Sequence, residues 1–215
     1  MSHSLNEIEA LSKRAARGAG YSWGMAEEAA RASRWLASHD LAGPAHLLEV
    51  LEQNDGVSHQ LLAPVALTGV WCAASGTLCP LAAGVTLNDC ADQLGQSLQI
   101  EMSNVSYPLL VVPFAAWAAV HINQPVCVMW QDLKIVTDGN SIRLSDPQSQ
   151  INIVKAAVLT CCAFAGNREG AARHPGNRAG VKPETVAGLS AFAQRTYAPA
   201  TDASRRLGAG LSDND

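Results

Sequence analysis

No Cys-x-x-Cys occurs in this chain, and no histidine stands at ligand spacing from its cysteines. A zinc ribbon or zinc finger is thereby excluded. No Gly-x-Ser-x-Gly elbow is present, so the serine-hydrolase arrangement is not expected. The Gly-x-Gly-x-x-Gly dinucleotide fingerprint is also missing. Basic residues are not in excess: Lys plus Arg number 15 against 19 Asp plus Glu, for a net charge of −4. Nucleic-acid binding through a general basic surface is therefore not expected. The opening MSHSLNEIEA enters an amphipathic pattern directly, so no signal peptide is expected. Internal repeats and low-complexity tracts are absent.

Charge is sparse, at 16% of 215 residues, while 48% are hydrophobic. A chain of this length buries roughly 70% of its unfolded surface and needs no staples. Its six cysteines lie mostly in apolar runs, as at Cys72, Cys127, Cys161 and Cys162. They read as reduced core residues of a cytoplasmic protein.

The most apolar stretch is Val105–Gln131, and eighteen residues from Val105 to Ile122 carry no formal charge. That length borders on a membrane span. However, Pro108 and Pro113 each remove an amide donor, and no Lys/Arg cluster flanks the stretch. It reads as a core unit of strand, short helix and strand. Leu109–Val112 and Val126–Trp130 are the strands, and Pro113 opens the helix that ends at Asn123-Gln124-Pro125. One helix from Pro108, kinked at Pro113, is the alternative.

Around this unit the pattern predicts an α+β protein. Residues 1–56 form an N-terminal helical segment of three short helices. A capping box at Ser4/Glu7 opens the first, Ser22 caps the second (about Trp23 to Ser38), and Pro44 starts the third. Residues 57–198 form the α+β core, with a mixed sheet of about six or seven strands. Alternating segments at 64–72 and 97–103 read as strands, as does Ile151–Phe164. Asp138-Gly139-Asn140-Ser141 marks a hairpin. Residues 73–83 read as loop, Thr86 caps a short helix over 87–94, and Pro183 opens a C-terminal helix. Residues 199–215 are a flexible tail.

The segment 166–182, GNREGAARHPGNRAGVK, holds four cations (Arg168, Arg173, Arg178, Lys182) against Glu169, a local net of 4 − 1 = +3. Guanidinium groups take carboxylate or phosphate with paired hydrogen bonds. Arg168, Arg173 and Arg178 are therefore the expected binders of a small anionic ligand, under a glycine-rich lid. A solvated surface loop is the competing reading. Candidate catalytic groups are His121 at the end of an apolar helix, Cys79 ahead of a helix, and His46. No metal site is expected, and no cofactor is assigned.

Three stretches carry a resemblance: LNEIEALSKRAARGAGYSWGMAEEAARASRWL, then YPLLVVPF, then RTYAPATDASRRLGAGLSDND. Together they are similar to an uncharacterised bacterial family of unknown function, over most of the chain. That resemblance implies a soluble bacterial protein and brings no activity or cofactor. A fainter likeness is to the malate/lactate/ureidoglycolate-type NAD(P) dehydrogenases. It rests on Ala26-Glu27, Asp40-Leu41-Ala42-Gly43 and His46, which would then be the catalytic acid/base. Ala45 and Leu47 depart from that family's Ser-His-Gly.

Three functions follow as expectations. The first is a small-molecule metabolic enzyme or enzyme subunit acting on an anion, as a homo-oligomer. The second is a non-catalytic binding or assembly protein whose tail orders on a partner. The third is a reduced relative of the dehydrogenases.

Overall fold

The computed structural model describes residues 2–96, 98–145, 150–166 and 170–197. Arg168 and the tail 199–215 lie outside the described residues. The chain opens with β1 (Ser2–Ser4), α1 (Leu5–Gly18), α2 (Trp23–Ser38) and α3 (Gly43–Gln53). After these come α4 (His59–Leu62), β2 (Val70–Trp71), α5 (Pro80–Asp89), α6 (Ala91–Gly95) and β3 (Ile100–Ser106). A 3₁₀ turn at Pro108–Val111 leads into α7 (Val112–His121). Then follow β4 (Val126–Trp130), β5 (Leu133–Thr137), β6 (Ile142–Leu144), β7 (Lys155–Ala163), β8 (Arg178–Gly180) and α8 (Pro183–Gln194). The fold is α+β, with a mixed six-stranded sheet, N-terminal helices and a C-terminal helix.

The N-terminal helices start and stop where local chemistry says they should. Ser4 Oγ accepts from the Glu7 amide at 3.2 Å, and Glu7 Oε2 accepts from the Ser4 amide at 2.7 Å. Both bonds satisfy amides that the first turn cannot bond internally. Replacing Ser4 with alanine is expected to lower stability by about 1 kcal/mol, measurable as a drop in urea midpoint. Ser22 accepts from the Met25 amide at 3.3 Å to start α2. Alanine packs the seam between these helices: Ala15, Ala16, Ala26, Ala29 and Ala32 are all buried. Side chains that small let the backbones approach closely, and a buried Ser12–Ser33 hydrogen bond of 3.1 Å crosses the seam. The spacing of Glu27 and Arg31 suggests a pair along α2. Instead Glu27 reaches across to Lys13 of α1 at 2.6 Å, and Arg31 takes Glu28 at 2.9 Å.

The sheet runs β2-β3-β7-β4-β5-β6. Only β2 and β3 pair in parallel; every other neighbouring pair is antiparallel. Because β7 lies antiparallel between β3 and β4, those two strands run in the same direction without touching. The connection that carries the chain from one to the other is the 3₁₀ turn and α7.

Here the expected strand at Leu109–Val112 is corrected: these residues are helical. Residues 109–112 and 114–116 are all fully buried, so no polar position reveals a period, and an apolar run of this length fits either structure. Tyr107 decides it. Its backbone is left-handed (φ 41°), which ends β3 and turns the chain off the sheet. Pro108 and Pro113 then each sit in the first turn of a helical segment, where a missing amide costs nothing.

Two other expectations change. The strand over 64–72 shrinks to Val70–Trp71; Val65 and Leu67 alternate but stay exposed, so no face is buried to hold a longer strand. The helix expected from Thr86 begins at Pro80. Thr86 lies inside it, and its hydroxyl bonds back to the Ala82 carbonyl at 2.9 Å. A break at Cys90 splits that helical stretch into α5 and α6. The hairpin at Asp138–Ser141 forms as expected, with Asp138 Oδ1 accepting from the Asn140 and Ser141 amides.

Among the described residues, no helix is long and apolar enough to cross a membrane.

Candidate functional site

Part of the basic segment meets the end of α2 through its backbone. Gly176 N–H donates to the Ser38 carbonyl at 2.6 Å, at the end of α2. β8 pairs antiparallel with β1, aligning Arg178 with Ser4 and Gly180 with Ser2. Arg178 is held by this pairing: its Nε donates to Ser2 Oγ at 3.0 Å and its NH2 to the Ser2 carbonyl at 2.8 Å. Arg173 exchanges two backbone hydrogen bonds with Ile142 at the edge of β6. Arg173 and Arg178 are therefore anchored on different strands.

What the segment builds is one wall of a groove. Pro175, Gly176 and Asn177 face Arg31, Arg34, Trp35 and Ser38 of α2, with Trp117 of α7 and Leu5 and Glu9 of α1 completing the lining. The groove encloses about 410 Å³. The Arg31 guanidinium lies 4.5 Å from the centroid of the Trp117 ring, a cation–π contact. Trp35 stacks on His39, ring centroids 4.1 Å apart. His39 itself is buried, and its ring nitrogens approach the Trp35 carbonyl at 2.9 Å and the Asn140 carbonyl at 3.0 Å. That bridge ties α2 to the hairpin turn and fixes the Trp35 ring from behind. Arg34 pairs with Glu9 at 2.5 Å. Along α2 alone, Arg31 and Arg34 read as a solvated polar face. The signal that they join two indoles lies in the contact of α2 with α7, which no local pattern encodes.

A second cleft, of about 350 Å³, opens where α1 turns into α2. Tyr21 and Asn54 form its polar floor, His59 stands at its edge, and Met25, Val57 and Leu62 supply apolar lining. Asn54 Nδ2 donates to the Tyr21 hydroxyl at 3.4 Å, and that hydroxyl lies 3.8 Å from Cys79 Sγ. Cys79 occupies the cap position of α5, as a thiol ahead of a helix should. Burial nevertheless pushes its pKa up, outweighing the Leu81 and Ala82 amides that favour the thiolate. Burial likewise raises the Tyr21 phenol. The two groups are thus held neutral under the cleft.

The remaining candidates stand apart. His121 ends α7 and lies 3.1 Å from Asp92, both well exposed. His46 is buried in α3, with its ring 5.5 Å from that of Tyr107 and no hydrogen bond to Nδ1 among the described residues. Burial lowers its pKa to about 4. His46, Cys79 and His121 are not brought together around one space. Among the described residues, no group of three or more His, Cys, Asp or Glu is placed to hold a metal ion.

Both clefts draw on the N-terminal helices, which is also where a family model matches the chain. Residues 3–79 match the model of a family described as protein of unknown function (DUF3726). The second cleft lies wholly within that matched segment, whereas the groove adds Trp117 and Pro175–Asn177 from outside it. The likeness expected over most of the chain is found in residues 3–79. No curated protein matches the chain, and no solved structure does.

Proposed function

We propose that this protein binds a small planar anion, such as an aromatic carboxylate or a nucleoside monophosphate, in the groove between α2 and Pro175–Asn177. The observation that carries this reading is the juxtaposition of Arg31 and Arg34 with Trp35 and Trp117 across from a wall contributed by the basic segment. The lining sets two guanidinium groups against one carboxylate, Glu9. Their present partners, Glu28 and Glu9, are partly exposed. Surface pairs of that kind are worth little, so a ligand carboxylate or phosphate can take the guanidinium in exchange. Both indoles line the groove, where a conjugated ring can pack against them. The six free cysteines support placing this function in a reducing, cytoplasmic setting. A metabolic enzyme or enzyme subunit is the natural setting for such a site.

Titration followed by tryptophan fluorescence tests this, because Trp35 and Trp117 lie in the groove itself. Saturable quenching is expected with benzoate-class carboxylates or nucleoside monophosphates. Arg31→Ala and Arg34→Ala are each expected to weaken binding about tenfold, the loss of one charge-assisted hydrogen bond. Isotherms unchanged in the double variant, or no saturable response across both ligand classes, overturn the reading.

A further inference from the structure

Cys127 of β4 and Cys162 of β7 stand directly opposite one another in the sheet register. On the same ladder, Phe164 N–H donates to the Pro125 carbonyl at 2.7 Å. Antiparallel pairs alternate, so two steps along, 127 and 162 form a hydrogen-bonded pair whose α-carbons lie about 5.5 Å apart. That separation is within the span of a disulfide. Side chains alternate across a strand, which puts both thiols on one face. Cys161 faces the other way: it pairs with Val128 and is fully buried in the core. It is therefore no rival for either thiol.

The two thiols differ in ways that suit sequential chemistry. Cys162 is partly exposed, whereas Cys127 is buried beside it. Lys134 is opposite Met129 in the β4–β5 register, on the same sheet face as Cys127, and its ammonium lies 4.2 Å from the Phe164 ring centroid. A hydrogen bond from the Cys127 thiol pulls the Cys162 pKa down from its ordinary value, and the Lys134 charge adds to the effect. Cys127 is pushed up in turn. Of the two, Cys162 is the one favoured as thiolate, while Cys127 holds its proton more tightly.

We propose that Cys127 and Cys162 form a redox-active dithiol that exchanges with small-molecule disulfides of the glutathione class. The Cys162 thiolate attacks one sulfur of the disulfide, a protein–glutathione bond forms, the small-molecule S–S bond breaks, and one glutathione thiolate leaves. Cys127 gives up its proton to the leaving thiolate or to water and attacks Cys162 Sγ. The Cys127–Cys162 bond forms and the second glutathione departs. In balance, two protein thiols are oxidised and one disulfide is reduced to two thiols. The product ties β4 to β7 at the centre of the sheet.

Incubating the folded, full-length protein with oxidised glutathione, followed by peptide mapping under acid quench, tests this. Wild type is expected to yield a crosslinked peptide pair joining Cys127 to Cys162. Cys127→Ser is expected to stop at the first step and carry glutathione on Cys162. Cys162→Ser is expected to leave Cys127 a free thiol. Cys72, an exposed cysteine, reports in the same digest that the oxidant reached the protein. Wild type in which Cys72 is modified while Cys162 remains a thiol, or carries glutathione with Cys127 still reduced, overturns the proposal.

Discussion

Alanine at position 18 is expected to destabilise the protein by about 2–3 kcal/mol, although the residue ends a helix in which alanine is the better former. A Cβ built on Gly18 comes 1.8 Å from the Phe192 carbonyl oxygen and 2.6 Å from its carbon. The obstacle is the main chain of α8, so no side-chain rotation relieves it. The α1 and α8 backbones must separate, loosening Leu189 and Phe192, both buried in the core. Against this, exchanging glycine for alanine inside a helix gains up to about 1 kcal/mol, which the clash exceeds. Gly24, in the first turn of α2, supplies the control: nothing lies within 4 Å of its Cβ position. Gly24→Ala is expected to be neutral or slightly stabilising. Urea unfolding of the two variants separates the outcomes by midpoint at constant slope. Equal midpoints would mean that α1 and α8 do not approach as closely as described.

Acid is expected to weaken the fold through His46. Its ordinary value near 6.5 falls to about 4 on burial. Between these values the unfolded chain holds a proton that the native imidazole refuses, so the unfolded state binds more protons and stability drops as pH falls. The contribution is present in full above pH 6.5, fades from 6.5 to 4, and is gone below 4, where both states are protonated. A gap from 6.5 to about 4 corresponds to about 3 kcal/mol. Tyr107 and Glu49 lie in the same neighbourhood, and burial raises both. The comparison of wild type with His46→Phe isolates the imidazole, since the variant keeps a ring against Tyr107. Wild type is expected to lose stability more steeply than the variant between pH 6.5 and 4, by up to one proton in the slope. Parallel curves would show that His46 titrates alike in both states.

The elements read most directly from residue order are those whose ends carry their own chemistry. Ser4 with Glu7, Ser22, Pro44 and Pro183 marked helix starts, because a cap or a first-turn proline acts within four residues of itself. Asp138–Ser141 marked the hairpin for the same reason. The α+β class followed from where the periods of 3.6 and 2 fall along the chain. Within Val105–Gln131 the helix at Pro113 and the strand Val126–Trp130 were legible, whereas Leu109–Val112 is helical, as in the alternative of a helix from Pro108. Residues 109–112 are fully buried, and the left-handed turn at Tyr107 that makes them helical is not a pattern of hydrophobicity.

For the candidate site, residue order singled out the basic character of 166–182 and gave it to Arg168, Arg173 and Arg178. Tertiary structure sets Arg173 and Arg178 apart from the groove proposed above. Arg178 serves the β1–β8 pairing, and the groove takes its guanidinium groups from α2. The same holds for Cys127 and Cys162, thirty-five positions apart in sequence (162 − 127) and adjacent only through strand register. Composition, caps and periodicity are local quantities, and they determined the class and most helix starts. Which side chains share a space depends on how strands and helices meet across the chain. Only the packed structure decides that, because pairing energies between distant residues leave no mark on the residues between them.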